Sequence, residues 1–269
     1  MTSGSTGDTT RHVEETRRFQ LRDVNVDAAF FLPFLRPGMT LLDVGCGPGS
    51  ITAGLAGLIA PGRVIGADKD PARIETASRD AAADGVSYRV ADVTALPFED
   101  DHFDAVFANA LIEHLPDPGA GVKELMRVLK PGGAVGVRCP DWSSALLHPD
   151  NDLMWASIAL RNRWQQHRGD HPDAGRLLRG LLAEAGFVDI NADATAQSHG
   201  TDDGVAEGVR YMHSILNDPE LVALAREHGW ANEVEMEEMR RSWVHWAAQP
   251  GAFSSFFWCH ATGRKPGRV

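Results

Sequence analysis

Short apolar runs alternate with longer mixed segments through the first half of the chain. That rhythm predicts strands alternating with helices. Residues 40–44, 63–68, 86–90, 103–108 and 134–138 read as strands. Residues 50–59, 71–83 and 121–129 read as helices, the second with Pro71 in its first turn, where a missing N–H costs nothing. Lys130-Pro131-Gly132-Gly133 stops the third. Upstream, residues 1–10 read as a disordered polar tail. Residues 11–35 read as mainly helical, with Phe30, Phe31, Phe34 and Leu35 as a buried edge.

Beyond residue 140 the rhythm changes. Residues 143–166 suggest a loop and a helix, 175–185 a helix closed by Gly186, and 187–192 a strand. Helical patterns over 203–248 break at Asn217-Asp218-Pro219 and at Gly229, and 255–262 reads as a last strand. With no repeat and no linker, the chain reads as one α/β domain over 1–269. Residues 20–140 form its ligand-binding core, and 141–175 and 196–250 are helical insertions that cap a mostly parallel sheet with helices on both faces. In such sheets ligands bind beyond the carboxyl ends of the strands.

Composition narrows the classes. Of 269 residues 43% are hydrophobic and 23% charged, which suits a chain that buries a core. A formal net charge of -11 repels polyphosphates and argues against a nucleic-acid partner. Three scattered cysteines, Cys46, Cys139 and Cys259, make neither a disulfide framework nor a zinc site, and no metal is expected. No apolar stretch is long enough to span a membrane and no leader precedes the fold, so a cytoplasmic protein is expected.

The chemistry concentrates where the first strand ends, at Asp43-Val44-Gly45-Cys46-Gly47-Pro48-Gly49. Glycines there admit positive φ and close approach of a ligand to the backbone, and the following helix offers free N–H groups. The third glycine arrives one residue too early for a dinucleotide GxGxxG turn, which favours a single nucleoside without a pyrophosphate. Asp43 would serve a positively charged end of that ligand. Asp68, closing the second strand 25 residues later, could accept both ribose hydroxyls. Asp92, after the third strand, could accept from an adenine amino group or equally cap its own turn.

LLDVGCGPGS (41–50), VIGADKDP (64–71), ADVTALPFEDDHFDAVFANALIEHLPDP (91–118) and KELMRVLKPGGAV (123–135) resemble successive motifs of the class I S-adenosylmethionine (SAM)-dependent methyltransferases. Their style is that of the small-molecule branch akin to ubiquinone and menaquinone biosynthesis. The resemblance resumes at 175–190 and 256–266. It implies a Rossmann-like, seven-stranded sheet, SAM as cofactor and S-adenosylhomocysteine as product. It also implies cofactor contacts at Asp43, Gly45, Cys46, Gly47, Asp68, Lys69, Asp92, Val93, Asn109 and Ala110, with Arg22 approaching from the N-terminal segment.

The fourth strand ends Asn109-Ala110-Leu111-Ile112 and lacks the Asp/Asn-Pro-Pro-aromatic signature of enzymes that methylate nucleobases. A small organic acceptor with an oxygen, nitrogen or carbon nucleophile is therefore expected, with a second copy of the chain left open as a partner. His114 is the candidate general base or acceptor contact, against a pocket-shaping role; His102 reads as a surface-turn residue. Asp141 and Trp142 are placed to meet an acceptor. In the cap, His148, Trp155, His171, Tyr211 and His213 are candidates, whereas Met239, Trp243 and Trp246 at helical spacing read as core. Residues 233–241 read as a solvated helix face. A SAM-assisted cyclisation and a non-catalytic SAM-binding role stay open beside methyl transfer.

Overall fold

The computed structural model describes residues 22–268. The tail at 1–10 and the helical reading of 11–21 lie outside the described residues. Where a helix was expected over 22–35 there are only a four-residue helix, α1 (Val24–Asp27), and a 3₁₀ turn at Leu32–Phe34. Asp23 caps α1 at one end through the N–H of Asn25, and Pro33 withholds the N–H that a longer helix would need. Of the expected buried edge, Phe31 and Leu35 are buried, whereas Phe30 and Phe34 are only partly buried.

The alternation then proceeds as β1 (Thr40–Val44), α2 (Ser50–Ile59), β2 (Arg63–Asp68), α3 (Pro71–Asp80), β3 (Val86–Val90), β4 (Phe103–Asn109) and α4 (Pro118–Val128). Next come β5 (Leu129–His148), α5 (Asp152–His167), α6 (Leu178–Glu184), β6 (Val188–His199), α7 (Asp202–Leu216), α8 (Pro219–Glu227), α9 (Glu233–Ala247) and β7 (Phe253–Arg264). Helices α3, α4 and α8 all start on an Asp-Pro pair. The aspartate accepts a first-turn N–H, and the proline sits where no donor is needed. The Asp117-Pro118 pair starts α4 three residues earlier than the apolar pattern suggested.

The seven strands form one sheet in the order β3-β2-β1-β4-β5-β7-β6. The pairs β1–β2, β1–β4, β2–β3 and β4–β5 are parallel. β7 runs against β5, because Lys265 exchanges backbone bonds with Gly132 and Gly133 while Phe257 donates to Ser144. It also runs against β6, with Ser255 against Gln197 and Gly263 against Ile190. The mostly parallel reading thus holds for the first five strands, and β7 makes the sheet mixed.

By internal packing the chain divides into two compact units, with boundaries inside β5, β6 and β7. The first holds the described residues up to Cys139 with Ala174–Ala194 and those from Cys259 onward. Along its strands, successive side chains enter opposite clusters. Leu42, Val44, Val106, Ala108, Val135 and Val137 pack on one side. Leu41, Ala105, Phe107 and Ala134 pack on the other, with Phe31, Leu55 and Ile59. Strands covered on both faces require this continuous apolar character.

The second unit, described over Pro140–Asp173 and Thr195–Trp258, has its own core of Met154, Trp164, Met212, Leu216, Met236, Trp243 and Trp246. Met239, Trp243 and Trp246 are core, as their spacing suggested. The two indoles are satisfied by the Ser157 hydroxyl and the His148 carbonyl, at 2.9 Å each. The outward side of α9 over 233–241 carries Glu233 and Glu237 paired with Arg240 and Arg241, a solvated face. Among the described residues no helix is long and apolar enough to cross a membrane.

Two glycines test the packing. A Cβ on Gly136 of β5 would meet the Phe31 ring at 2.5 Å, whereas one on Gly57 of α2 would meet nothing within 4 Å. Gly136→Ala is expected to lower unfolding stability by about 1–3 kcal/mol. Gly57→Ala should raise it by roughly 0.5–1 kcal/mol, since glycine inside a helix carries that cost. Denaturant midpoints check both; equal midpoints for the two variants would contradict the packing.

Candidate active site

The glycine turn is made by backbone geometry. Gly45, Gly47 and Gly49 have φ of 71°, 54° and 85°, in the left-handed region that other residues enter only at a cost. The turn is stitched to the end of β2: the N–H groups of Gly45 and Cys46 both donate to the Ala67 carbonyl, at 2.7 and 3.0 Å. Beside it the Asp68 carboxylate accepts from the N–H of Gly47 with one oxygen and of Asp70 with the other, at 3.0 Å each. A side chain at Gly49 would strike the Tyr88 hydroxyl and Ala81; one at Gly47 would meet nothing within 4 Å, which leaves that backbone open to a ligand.

Asp43 ends β1 directly below the turn and is 3% exposed. Its carboxylate accepts from the Thr52 hydroxyl at 2.6 Å. Burial, seconded by the charge of Asp68, raises its pKa to about 7, against the opposing pull of Thr52 and Arg22. Cys46 is buried in the same turn, and burial with the nearby Asp43 and Asp68 pushes its thiol far up, so it stays neutral.

A pocket opens over this turn, lined by Arg22, Asp43, Gly45, Cys46, Gly47, Asn109 and Ala110, with Ser50, Ile51 and Arg73. Seven of the expected cofactor residues therefore meet in one place. Asn109, at the end of β4, is 3% exposed, and its side-chain nitrogen has no hydrogen-bond partner among the described residues. A buried amide donor left open at a pocket wall is a group waiting for an acceptor. Ala110 takes a φ of 53° and donates its N–H to the Arg138 carbonyl at 2.8 Å.

The other candidates lie elsewhere. Lys69 is exposed after β2. Asp92 is exposed and closes its own turn, accepting from the N–H and hydroxyl of Thr94 at 2.8 and 2.7 Å, which holds its carboxyl below the usual range. Val93 is buried in the hydrophobic core. The His114 imidazole is 47% exposed at the end of the 3₁₀ turn Ile112–His114, its Nε2 3.9 Å from an oxygen of the buried Glu113. In the second unit Trp142 stacks between neighbours, with ring centres 4.4 Å from Phe256 and 5.2 Å from Tyr211, and the buried Arg161 guanidinium lies 3.7 Å above it. His102 is exposed. Among the described residues no group of three or more His, Cys, Asp or Glu could hold a metal.

Two residues of the site escaped the sequence reading. Arg73 lines the pocket from α3, and its Nε lies 3.6 Å from Asp70; nothing in the pattern marked it. Arg138 donates to the Asn109 side-chain oxygen at 3.2 Å, and a charge inside an apolar strand was the available signal.

Residues 42–137 match the methyltransferase-domain family Methyltransf_11. An uncharacterized methyltransferase of Schizosaccharomyces pombe is 34% identical over 64% of this chain and 64% of its own length. The trans-aconitate 2-methyltransferase of Methylobacterium radiotolerans is 36% identical over 58% of this chain and 57% of its own. A probable methyltransferase of Aspergillus luteorubrus is 32% identical over 68% and 70%. The chain thus spans less than two thirds of the length of the first two. Among solved structures, a putative methyltransferase from Bacillus halodurans superposes with a TM-score of 0.56 at 19% identity, over 86% of this chain and 94% of that one. With this fold, this turn and these relatives, the chain belongs to the class I SAM-dependent methyltransferases.

The raised Asp43 carboxyl has a stability consequence. A folded pKa of about 7, against 3.8 for a free aspartate, means that the folded chain holds this proton more tightly than the unfolded one. Stability from this group is complete below pH ~4 and is lost as pH rises through about 7. Asp43→Asn cannot ionise, so between pH 5 and 8 its melting temperature should fall less than that of the unaltered chain. Parallel melting curves across that range would show that Asp43 ionises freely.

Proposed function

We propose that this protein binds SAM in the pocket over the glycine turn and transfers its methyl group to a small organic acceptor through an oxygen, nitrogen or carbon nucleophile. The observation that carries this reading is the meeting, in one pocket, of the buried Asp43 acid with the Asn109 amide nitrogen, which has no hydrogen-bond partner among the described residues. An amino-acid end bearing both an ammonium and a carboxylate is the complementary ligand. The pocket residues fit the cofactor: Asp43 for the ammonium, Arg22, Arg73 and Asn109 as donors, Gly45, Gly47 and Ala110 for close backbone approach, and Cys46 as a neutral wall. Asp68 keeps lone pairs beyond its two backbone bonds for the ribose hydroxyls, with Lys69, Asp92 and Val93 assigned to the adenosine side.

Bound there, SAM supplies a methyl group on a sulfonium, a leaving group that needs little further activation. What the chain must add is alignment and exclusion of water. The rigid turn, tied at Ala67 and Asp68, provides the alignment. A base is needed only where the acceptor must lose a proton, and His114 is assigned that role. Choice of acceptor is assigned to the segments 141–175 and 196–250. A relative named for trans-aconitate supports an acceptor of small-molecule size.

Asp68→Ala removes a charged acceptor and is expected to weaken SAM binding about 10- to 100-fold, on the scale of one charge-assisted hydrogen bond lost. Titration calorimetry measures this directly, and an unchanged Kd would overturn the cofactor assignment. Transfer is read by incubating the protein with methyl-labelled SAM and a panel of small carboxylic acids, phenols and hydroquinones. With an accepted phenol, His114→Ala should lower kcat roughly 100-fold while leaving the SAM KM in place. Equal turnover would remove His114 as base.

A further inference from the structure

Asn109 faces the pocket with a donor, and the reason lies one strand away. Asn109 and Arg138 are register partners on β4 and β5. Arg138 is 6% exposed, and one of its terminal nitrogens, Nη1, donates to Asn109 Oδ1 at 3.2 Å and to Asp27 Oδ1 at 2.7 Å. A guanidinium has donors only, so the Asn109 atom facing it must be the oxygen. The amide nitrogen is thereby turned the other way, buried at the pocket wall and without a partner among the described residues. Asp27 is anchored in turn, its other oxygen accepting the N–H of Asp23 at 2.9 Å. The Arg138 carbonyl also takes the N–H of Ala110, so the same residue holds the backbone that follows Asn109.

We infer that Asp27 and Arg138 are positioning residues that lock the Asn109 amide as a hydrogen-bond donor for a carboxylate oxygen of the pocket's occupant. Rotated by a half-turn, the amide would oppose its NH₂ group to the guanidinium and offer the ligand an acceptor instead. The lock excludes that state before any ligand arrives. It also explains why a strongly charged residue stands inside the apolar fifth strand. Its counter-charge comes from a helix more than a hundred residues earlier, and its amide partner is the site itself.

The inference rests on the SAM-pocket reading, and the two fail differently. The probes are S-adenosylhomocysteine, which carries the amino-acid carboxylate, and methylthioadenosine, which lacks it. Asn109→Asp preserves the contact to Arg138 but removes the donor and adds a negative charge. It should keep the melting temperature of the unaltered chain, weaken S-adenosylhomocysteine at least tenfold, and leave methylthioadenosine within twofold. Arg138→Met should also weaken S-adenosylhomocysteine. Combined with Asn109→Ala it should add little further loss, because it acts through Asn109; a structural role alone would give additive losses. Unchanged S-adenosylhomocysteine affinity in Asn109→Asp, equal loss of both probes, or additive losses in the cycle would overturn the lock. Failure of the unaltered chain to bind either probe would overturn the cofactor reading, and the lock with it.

Discussion

The Asp68 carboxylate ties three parts of the nucleoside site together. One oxygen fixes the amide of Gly47 in the turn after β1, and the other fixes the amide of Asp70 before α3, while its own backbone ends β2. The turn's remaining slack is taken up by the Ala67 carbonyl, which accepts two consecutive N–H groups. The turn after β1, the end of β2 and the start of α3 are thus brought to one carboxylate, which is 5% exposed. The glycines make this arrangement accessible, because no side chain follows the backbone into left-handed φ without strain.

The same compactness has an electrostatic cost. Asp43 sits under the turn within the field of Asp68, out of water, and its carboxyl holds a proton up to about pH 7. The ionised form of such a group is poorly solvated, and a cation beside it favours that form. Perturbed acids of this kind are expected where a protein keeps binding energy in reserve for a ligand. The Asp27–Arg138–Asn109 chain works in the opposite sense: a buried ion pair, complete without ligand, holds a neutral donor ready. One side of the pocket is left electrostatically unfinished and the other is preassembled.

The second unit follows a different logic. Its tryptophans Trp243 and Trp246 are used for packing, and its stack of Trp142, Tyr211 and Phe256 is capped by the buried Arg161. Aromatic residues there do not by themselves mark a binding surface, since each ring already has protein partners. The family match over residues 42–137 lies wholly within the first unit and says nothing of this one.

Much of the first unit could be read directly from the chain. The bounds of β1, β2 and α2 followed from short apolar runs and glycine punctuation, because both faces of β1 and β2 are largely buried and local pattern reports that directly. That Asp43, the glycines and Asp68 lie together at strand ends was legible for a similar reason, since sequence spacing encodes that position. The length of β5, extended from the expected 134–138 to Leu129–His148, was not legible, because its ends are set by pairing with β7 far along the chain. Nor could sequence tell that Asp92 spends its carboxylate on Thr94, that His114 stands half-exposed, or that Arg138 reaches both Asp27 and Asn109. Local periodicity determined which residues form the strands, the turn and its acids. Tertiary structure decided which polar atoms have partners and which face the pocket, because hydrogen-bond satisfaction depends on neighbours that sequence separation hides.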